Sequence, residues 1–553
     1  MKILYVYDGE DDIELQSDDT VYCYSLGNGL MSSENNYNLN EPRQLNEIAL
    51  KLRDEYSDYI YSINNIFLEN RIIIDKMISA YFFSELSNKR TENFDTYSSI
   101  CHLILIQEKL KVIKIDKIIF NGCSKSFIIA TKSLYPECII AKQFIKEDKF
   151  SIFNQVYLQL QFFFSSLLKL SYLYYKNYDN PKREKIIERL FLSRFPLHFD
   201  DKYQEEKYGN FVKINDYYLI SVITDGMHQN IKYSEYKTNI KLIENKLNNV
   251  ILLDSFLTIK DIIMGLMFSL KFQYYRIILK NKSYKFKDFD VSEFILLELT
   301  QSCIRIPRLL MYHRAIKTVF NKYSINKFIY YLHEYCYGRY FTYMLKTFFP
   351  LVSTIGFQHG PASRRKLLYH LGANEADQGK KNYLNHLPIP DKVLAEDPIS
   401  AKIYIDAGYI NVSVMKEIYR LNYLKNITRK NIKLNTILVA LGLHDGKSIM
   451  NQLFKEIIQN ARTKYIIKLH PLSAENKSII NMVKQINAIN LEIGKHKISF
   501  YFAFVSEVIV SYSSVGLEAY FLGIPVRLLD LPNKINESPL LDVKGFHSGQ
   551  NNI

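Results

Sequence analysis

Short apolar runs that end in polar loops recur along the chain and alternate with segments of helical character. Residues 465–469 form one such run, which ends at a His-Pro pair, and residues 508–510 form another, which ends in Ser-Tyr-Ser-Ser-Val-Gly. Residues 517–522 then have helical character until a Gly-Ile-Pro turn, and a further apolar run follows at 526–529. Apolar runs of this length between helical segments predict a parallel β-sheet with crossover helices.

The same alternation extends back to the first residues and divides the chain into three parts. Further strands are predicted at 2–7, 20–25, 115–120, 137–141, 218–223, 249–253, 327–332, 352–357, 392–395 and 436–441. A helix-rich aromatic segment at 150–190 and a Lys/Asn-rich stretch at 425–434 lie between the groups of strands. We therefore expect an α/β unit at 1–145, a second α/β domain with a helical segment at 146–425, and a third α/β domain at 426–553.

Length, composition and charge agree with a chain of several packed domains. The 553 residues are too many for one ordinary domain, and 48% of them are hydrophobic while 23% are charged. The net charge of +14 (71 basic minus 57 acidic side chains) permits binding to nucleic acid, anionic lipid or anionic sugars. The lysines are scattered and no nucleic-acid-binding motif appears, so we expect no nucleic-acid partner.

The cysteines and the first residues bear on the cellular compartment. The chain has six cysteines without Cys-x-x-Cys spacing: Cys23, Cys101, Cys123, Cys138, Cys303 and Cys336. The N-terminal residues read as a strand followed by an acidic turn, and not as a signal peptide. We therefore expect free thiols and a cytoplasmic location.

Two apolar segments come nearest to the composition of a membrane-spanning helix. The segment 156–175 is interrupted by Gln159, Gln161 and Lys169, and the segment 262–270 is too short to cross a membrane. Each is either an interfacial helix with aromatic anchors or a buried helix. Peripheral attachment to the inner face of the cell membrane is therefore one expectation.

The polar loops of the last part have the chemistry of an anion site. Ligands of open parallel sheets lie at the carboxyl ends of the strands, where these loops lie. Ser513 and Ser514 open a helix, so their hydroxyls, the free backbone N–H groups and the helix dipole favour an anion such as phosphate. His470, in front of Pro471, supplies a further N–H donor or a positive charge. The alternatives are an ordinary helix N-cap for the serines and a capping role at the turn for His470.

Two loops of the last part contain further candidates. Gly442 begins the loop after the strand at 436–441, and Asp445 and Lys447 follow it. Lys447 can neutralise a phosphate or a sugar carboxylate, whereas Asp445 is either a catalytic carboxylate or a member of a plain Asp-Gly turn. Gly516 and Glu518 follow the two serines, and Glu518 is either a ligand-binding group or a solvated helix glutamate.

Carboxylates in the middle part are candidates for acid-base chemistry. Glu334 lies at a predicted strand end, where burial would raise its pKa and suit it to act as a general base. Its alternatives are a partner of Arg339 or a helix-start carboxylate. Asp225, in a Thr-Asp-Gly turn, is either an acceptor-side group or a turn residue. No Asp-x-Asp pair lies in a suitable loop, so we expect no metal and no other cofactor.

Gln358, His359 and Gly360 follow the next strand of the middle part. Gly360 lets the backbone approach a ligand closely, and Gln358 lies on the acceptor side of the predicted cleft. His359 either contacts the donor or acceptor or is a structural histidine.

Four of these motifs, in order, resemble those of one group of proteins. The Thr-Ile-Gly-Phe-Gln-His-Gly run at 354–360 is similar to the Gly-Tyr/Phe-Gln-His motif of bacterial surface-carbohydrate biosynthesis proteins. Lys-Leu-His-Pro at 468–471 and Ser-Ser-Val-Gly-Leu-Glu-Ala at 513–519 resemble that group's His-Pro and Ser-Ser motifs. Residues 328–339 resemble its strand that ends in Glu before an aromatic helix. The group includes Kdo transferases, polysialyltransferases and polyol-phosphate polymerases, and the likeness covers about residues 190–535.

The resemblance implies a GT-B-like fold, with two Rossmann-like domains that face a cleft, an extra N-terminal α/β unit and helical insertions. It implies that His470, Ser513 and Ser514 bind the phosphate of a nucleotide-sugar donor. It implies that Glu518 accepts hydrogen bonds from ribose hydroxyls. Asp445 would stand where some retaining Kdo transferases are thought to use a carboxylate nucleophile.

The function implied is transfer of a sugar, Kdo or one like sialic acid, from a CMP-linked donor. The acceptor would be a surface polysaccharide or a lipid-linked glycan at the inner membrane surface. A second enzyme fits the same motifs, namely a transferase of a polyol phosphate from a CDP-linked donor. A third alternative is a non-catalytic glycan-assembly protein with the same fold.

Overall fold

The structure is a computed structural model with three parallel β-sheets in chain order. It describes residues 1–9, 13–14, 19–28, 31–32, 36–146, 152–178, 180, 186–225, 229–332, 336–377, 386–471 and 473–548. Helices pack on the sheets, and the strands are apolar and buried, as is typical of parallel sheets that are covered on both faces.

The first sheet has the strand order β5-β3-β1-β8-β9, and all its pairs are parallel. The strands of this part are β1 (Lys2–Tyr7), β2 (Ile13–Glu14), β3 (Thr20–Ser25), β4 (Met31–Ser32), β5 (Asn36–Asn38), β6 (Ile73–Ile74), β7 (Ile78–Ser79), β8 (Lys117–Ser124) and β9 (Ile139–Lys146). Its helices are α1 (Pro42–Ser62), α2 (Asn64–Glu69), α3 (Glu85–Asn88), α4 (Thr96–Leu110) and α5 (Lys125–Leu134). The strand predicted at 137–141 begins two residues later and is longer than expected.

The second sheet has seven parallel strands in the order β14-β11-β10-β17-β18-β19-β20. The strands of this part are β10 (Ile186–Ser193), β11 (Tyr217–Ile220), β12 (Thr224–Asp225), β13 (Gln229–Asn230), β14 (Val250–Leu252), β15 (Lys285–Phe286), β16 (Phe289–Asp290), β17 (Ser324–Tyr331), β18 (Ser353–Phe357), β19 (Lys392–Ala395) and β20 (Val412–Val414). Its helices are α6 (Ile152–Lys176), α7 (Tyr233–Lys246), α8 (Ile259–Lys280), α9 (Ser292–Leu310), α10 (His313–Lys322), α11 (Tyr337–Phe348), α12 (Ala373–Ala376) and α13 (Pro398–Asp406).

The third sheet has the order β23-β22-β21-β24-β25 and is also parallel throughout. Its strands are β21 (Lys433–Ala440), β22 (Lys464–Lys468), β23 (Leu491–Ile493), β24 (Val505–Val510) and β25 (Val526–Leu528). Its helices are α14 (Gly446–Gln459), α15 (Asn476–Ile486), α16 (Ile498–Phe502) and α17 (Val515–Phe521).

The first and second sheets share one hydrophobic core, whereas the third sheet has separate cores. One continuous core contains buried side chains of both the first and the second sheet, such as Leu4 and Phe328. The third sheet has its own cores on its two faces, represented by Val508 and Val439. The first unit and the middle part are therefore packed together around one core.

The topology confirms the predicted α/β, GT-B-like class, with Rossmann-like parallel sheets and an additional N-terminal α/β unit. The apolar runs were sufficient to predict the α/β class because the period of the pattern sets the element type, whereas the GT-B-like arrangement was predicted from the resemblance. The domain boundaries at 145 and 425 remain predictions.

Candidate functional site

The loops that follow β21, β22 and β24 emerge at one edge of the third sheet. These strands are parallel, so their carboxyl ends lie at the same edge. Strand β21 lies between the other two, so the loops of His470 and Ser513 are separated by two strand spacings, about 10 Å. A ligand that contacts both loops must therefore be longer than a single phosphate.

A cavity of about 380 Å³ lies between this edge and the first sheet. Asp8, Leu26 and Ser124, at the carboxyl ends of β1, β3 and β8, line one side. The opposite side is formed by residues of the last part: His444, Tyr512, Asn533, Lys534, Ile535 and Glu537. The carboxyl edges of two parallel sheets thus face each other across a polar cleft, which is where such sheets bind ligands.

A second cavity, of about 110 Å³, lies beside His359. Arg90, Glu92 and Lys366 line it together with residues of the loop after β18. Glu92 lines both cavities and forms ion pairs with Lys366 (2.9 Å) and Arg90 (3.2 Å). The pair with Lys366 joins the first unit to the middle part at the point where the two cavities meet.

The charges at this junction are held in place by one another. Burial raises the pKa of Glu92, but attraction to Lys366 and Arg90, with hydrogen bonds from both, lowers it to about 2. Burial lowers the pKa of Lys366, but Tyr369, Glu92 and Glu537 raise it above its usual value. Both side chains are therefore charged at neutral pH, and Lys366 is a fixed cation in the cleft.

Glu537 has the titration behaviour of an acid-base group. Burial raises its pKa to about 7, although attraction to Lys366 and a hydrogen bond from the Thr91 hydroxyl (2.8 Å) oppose the shift. A carboxyl group that titrates near neutral pH can both take up and release a proton, as general acid-base catalysis requires. No motif in the sequence points to this residue.

Asp445 is buried at the end of the loop after β21, immediately before α14. Its Oδ1 accepts a hydrogen bond from the Gly442 N–H (2.6 Å), and its Oδ2 has no hydrogen-bond partner among the described residues. Burial raises the pKa of Asp445 to about 6. A Cβ at Gly442 would lie 2.9 Å from Oδ2 of Asp445, so the glycine makes room for this carboxylate. The Asp-Gly turn and the catalytic carboxylate are both compatible with this geometry.

His470 is half-buried in the loop after β22, and Pro471 beside it is exposed. Burial and the neighbouring His444 lower the pKa of His470, so its imidazole is neutral at pH 7. It can therefore donate a hydrogen bond, but the predicted positive charge is not available at this pH. The backbone carbonyl of His470 accepts bonds from Asn476 Nδ2 (2.9 Å) and the Ser473 N–H (3.2 Å), which hold the loop.

Ser513 and Ser514 are partly exposed before the short helix α17. The Ser513 hydroxyl accepts a hydrogen bond from the Val515 N–H (3.4 Å), as in a local cap. Gly516 is required by packing, because a Cβ there would lie 2.8 Å from Cγ2 of Val510. Both the capping and the anion-binding interpretations of the serines therefore remain open.

Glu518 is buried in an ion-pair network and is not a solvated helix glutamate. It accepts a hydrogen bond from the Tyr423 hydroxyl (2.6 Å) and lies 3.9 Å from Arg420, which forms a bidentate pair with Glu396. Burial raises the pKa of Glu518. The network joins the middle and last parts, so its first role is to hold them together. The ribose contact remains a prediction.

Gln358 holds the loop after β18 and has few polar atoms left for an acceptor. Its Nε2 donates to the Gly360 carbonyl (2.7 Å) and to the Ser400 hydroxyl (3.1 Å), and its Oε1 accepts from the Glu396 N–H (2.9 Å). The space around Gly360 is open, since a Cβ there would meet no atom within 4 Å. Close approach of a ligand to this backbone is therefore unobstructed.

His359 lines the second cavity and packs against aromatic rings. Its ring centroid lies 4.4 Å from that of Tyr331 and 6.4 Å from that of His198. Burial and nearby cations such as Lys207 lower the pKa of His359 well below its usual value. A neutral imidazole of this kind is a weak base, so it suits hydrogen bonding to a ligand better than proton abstraction.

A buried acid lies behind His359 and was missed by the sequence analysis. Glu205 accepts hydrogen bonds from the Tyr331 hydroxyl and from the Tyr208 N–H (2.7 Å), and burial raises its pKa to about 7. The ring of His198 lies 3.9 Å from its carboxylate. No motif surrounds Glu205 in the sequence, because the contact with β17 forms only in the folded chain.

The remaining candidates are less well defined. Glu334 lies outside the described residues. Asp225 belongs to β12, which pairs with β13 through Gln229. The Lys447 N–H donates to Glu475 (3.1 Å) at the start of α14.

The structure thus brings Asp445, His470, Ser513 and Ser514 to one sheet edge, while Arg90, Glu92, Lys366 and Glu537 were not identified from the sequence. His444 and Tyr512 stand within motifs that were recognised, and only their roles were missed.

Metal-binding side chains do not cluster in the part of the chain that the structure describes. No group of three or more His, Cys, Asp or Glu residues there has the arrangement of a metal site.

Comparisons with known proteins identify no family for this chain. No family model matches the chain, and no curated protein matches its sequence. Solved structures do match. UDP-GlcNAc 2-epimerase from Neisseria meningitidis, bound to UDP-GlcNAc, is 9% identical, covers 62% of this chain and 82% of its own, and has a TM-score of 0.34.

Two further matches are of the same quality. HepE from Anabaena in complex with UDP is 11% identical, covers 62% of this chain and 80% of its own, with a TM-score of 0.32. Phytolacca americana UGT2, complexed with UDP-2-fluoro-glucose and pterostilbene, is 9% identical, covers 64% of this chain and 83% of its own, and also has a TM-score of 0.32. TM-scores this low carry no argument, so the fold and the site are interpreted from the residues of this chain.

Proposed function

We propose that this chain is a glycosyltransferase that binds a nucleotide-sugar donor in the cleft between the third sheet and the rest of the molecule. The observation that carries the proposal is the meeting of strand-end loops from all three sheets around two adjoining polar cavities. Lys366, a fixed cation, and Glu537, whose pKa is raised to about 7, line these cavities, and the buried Asp445 lies in the loop that also supplies His444 to the lining. Such a cleft has the groups that a transfer reaction between sugar and hydroxyl requires.

In this proposal the phosphate-containing part of the donor lies along the carboxyl edge of the third sheet and spans the loops after β22 and β24. His470 in its neutral form would donate a hydrogen bond at one end of it and the Ser513 and Ser514 hydroxyls at the other, with the backbone of the Gly442 loop between them. Lys447 would add a positive charge, and Lys366 would face the leaving nucleotide from the opposite side. Hydrogen-bond donors that are fixed before the reaction stabilise the charge of a leaving group without reorganisation.

The acid-base chemistry would fall to carboxyl groups of the cleft. Glu537 is the best-supported general base for the acceptor hydroxyl because its pKa is raised to about 7. Asp445, with one oxygen unpartnered among the described residues and a pKa of about 6, would be the nucleophile or a second base. Glu334 remains a proposed catalytic group on the sequence argument alone, and His359 would position the acceptor.

We further propose a CMP-linked donor, with Kdo or a sugar like sialic acid, because of the resemblance of the His-Pro and Ser-Ser motifs. The acceptor would be a surface polysaccharide or a lipid-linked glycan, and the protein would act in the cytoplasm. The acceptor side would include Asp225 and the Gln358 to Gly360 loop. Transfer of a polyol phosphate from a CDP-linked donor is the second candidate, since the same phosphate-binding groups would serve it.

A thermal-shift screen against CMP, CDP, UDP and GDP tests the donor. A nucleotide present at 100 times its dissociation constant should stabilise the fold by about 2.7 kcal/mol. The products of donor hydrolysis separate the two candidates, because CMP with a free sugar supports the first and CMP with a polyol phosphate supports the second. A chain that binds none of the four nucleotides would contradict the proposal.

The variant Glu537→Gln tests the catalytic cleft. We expect transfer to fall by roughly 10²–10⁴-fold, as is usual when a general acid-base group is lost. The matched control is Glu492→Gln, because Glu492 is exposed on β23, the outer strand of the third sheet, where it pairs with Lys464. If His470→Ala and Glu537→Gln both leave glycan production in cells unchanged, the non-catalytic alternative is favoured.

A further inference from the structure

Helices α6 and α8 form an antiparallel pair on the surface of the middle part. At one end the Tyr174 hydroxyl of α6 donates to the Leu257 carbonyl just before α8 (2.9 Å), and at the other Arg276 of α8 donates to Gln155 of α6. Near the centre, Gly265 lets the helices approach closely, because a Cβ there would lie 2.6 Å from the ring of Phe163. The pair is therefore a built element with a defined orientation.

The inward faces of both helices pack on α9. Gln159 of α6 donates to the Ile304 carbonyl (2.9 Å) and accepts from Arg308 Nε (2.9 Å), while α8 packs along α9 directly. The outward faces of α6 and α8 therefore lie on the same side of the molecule, away from α9. We call this surface the α6–α8 face.

The α6–α8 face is apolar although it is exposed. Among the described side chains, seven large apolar ones on α6 and seven on α8, fourteen together, lie on the exposed surface. Phe164 and Leu168 of α6 are each 61% exposed, and Met267, Leu270 and Ile277 of α8 are 56%, 63% and 58% exposed. They recur at three- and four-residue spacing, so they form continuous stripes. An apolar surface of this extent in a folded protein marks an interaction site.

The charges on this face have one sign. Neither α6 nor α8 contains an acidic residue except Asp261, which is buried and paired with Arg314 (2.6 Å). Lys260, Lys271 and Lys280 are exposed at the start, middle and end of α8. The face therefore combines apolar stripes with positive charge along its length.

We propose that the α6–α8 face docks on an anionic lipid surface, with both helices lying in the plane of the headgroups. Apolar side chains would enter the acyl boundary, and the lysines would meet anionic headgroups. The apolar segment 262–270, too short by itself, lies within α8, which is long and apolar enough to cross a membrane. However, 39% of an 18-residue window of α8 is buried inside the protein and its lysines are spread along it, so the proposal places it on the membrane surface. A second copy of the chain fits this face less well, because a two-fold contact would bring the same lysines together.

Flotation of the full chain with phosphatidylcholine vesicles, with or without phosphatidylglycerol, tests the proposal. The wild-type chain should float with the anionic vesicles and less with the neutral ones, and added salt should reduce the binding. The affinity of the double variant Phe164→Glu with Leu270→Glu for anionic vesicles should be at least roughly tenfold lower, because the variant places acidic groups in the apolar stripes. The matched control is Leu351→Glu with Ile489→Glu, at side chains 96% and 100% exposed elsewhere, which should float as the wild type does.

Further variants separate the contributions. Replacement of Lys260, Lys271 and Lys280 by Gln should abolish most of the preference for anionic vesicles while leaving the melting temperature unchanged. A wild-type chain that does not float, or a double variant that floats equally well, would overturn the proposal. So would a wild-type dimer that the double variant converts to monomer without any vesicle binding. No nucleotide is involved, so these results do not depend on the proposed transfer reaction.

Discussion

The first unit is joined to the middle part and to the last domain in opposite ways. It shares a continuous apolar core with the middle part, in which the fully buried Phe83 packs edge-on to Tyr340 at 5.3 Å. The last domain is joined to the first unit through directional polar contacts. Asn533 donates to the carbonyls of Leu26 (3.1 Å) and Gly27 (2.7 Å), and the Asn536 N–H donates to Asn46 (2.7 Å).

This difference teaches which parts move together. Apolar burial is lost completely when two surfaces separate, whereas water can replace hydrogen bonds at much smaller net cost. The first unit and the middle part should therefore behave as one rigid body, and the last domain should be the part that changes position when a ligand enters the cleft. The ligand site lies at the weaker joint.

The largest expected effect comes from breaking the apolar joint. Phe83→Ala should destabilise the chain by about 3–5 kcal/mol, because a large aromatic side chain leaves a cavity between the first unit and α11. Denaturant unfolding monitored by hydrogen exchange should show the first and second sheets losing protection together. Phe500→Ala is the control, since this ring is 51% exposed and its removal should cost little. Loss of protection in the first sheet alone would show that the first unit is independent.

A smaller effect is the pH dependence of stability, which one carboxyl group in each joint should cause. Burial raises the pKa of Glu298, in the apolar joint, to about 8 and that of Glu537, in the cleft, to about 7. Both are raised above the unfolded value of about 4.5, so the stability that each protonated group contributes is present below pH 4.5 and is lost as pH rises through 8 or 7.

Within these windows each group should lower the stability by about 1.4 kcal/mol for each unit of pH. With Glu298→Gln, the stability of the first and second sheets should depend less on pH up to pH 8. With Glu537→Gln, the free energy of docking of the last domain should depend less on pH up to pH 7. Hydrogen exchange at several pH values measures both. If Glu537→Gln also flattened the profile of the first sheet, the two joints would not be separate.

The smallest effect comes from the polar joint. Asn533→Ala removes two hydrogen bonds to the backbone of the first unit and should weaken docking of the last domain by about 1–2 kcal/mol. Limited proteolysis of the 427–432 connection should become faster, while the melting of the first two sheets stays the same. Asn245→Ala, at an exposed position of α7, is the control. An equal change in both variants would contradict a specific role for Asn533.

The sequence determined the elements and their loops, because apolar period and Gly/Pro punctuation act over a few residues. It also identified the strand-end motifs, since polar residues after β18, β21, β22 and β24 stand out against the apolar runs. For His470 it left two roles open, an N–H donor or a positive charge, and the lowered pKa caused by burial and His444 favours the donor. Gln358 stays a predicted acceptor-side residue, although its amide already bonds to Ser400 and to the Glu396 N–H.

Only the tertiary structure decided which sheet edges face one another and which carboxyl groups titrate near neutral pH. Thr91 and Glu92 are neighbours in the chain, and Glu537 lies more than 400 positions further on. All three line one cavity, where the Thr91 hydroxyl donates to Glu537 across 446 positions. No local pattern contains such a contact, because it arises from the packing of whole domains. The pKa of Glu537 has the same origin, since desolvation depends on every group around the carboxyl and not on its neighbours in the chain.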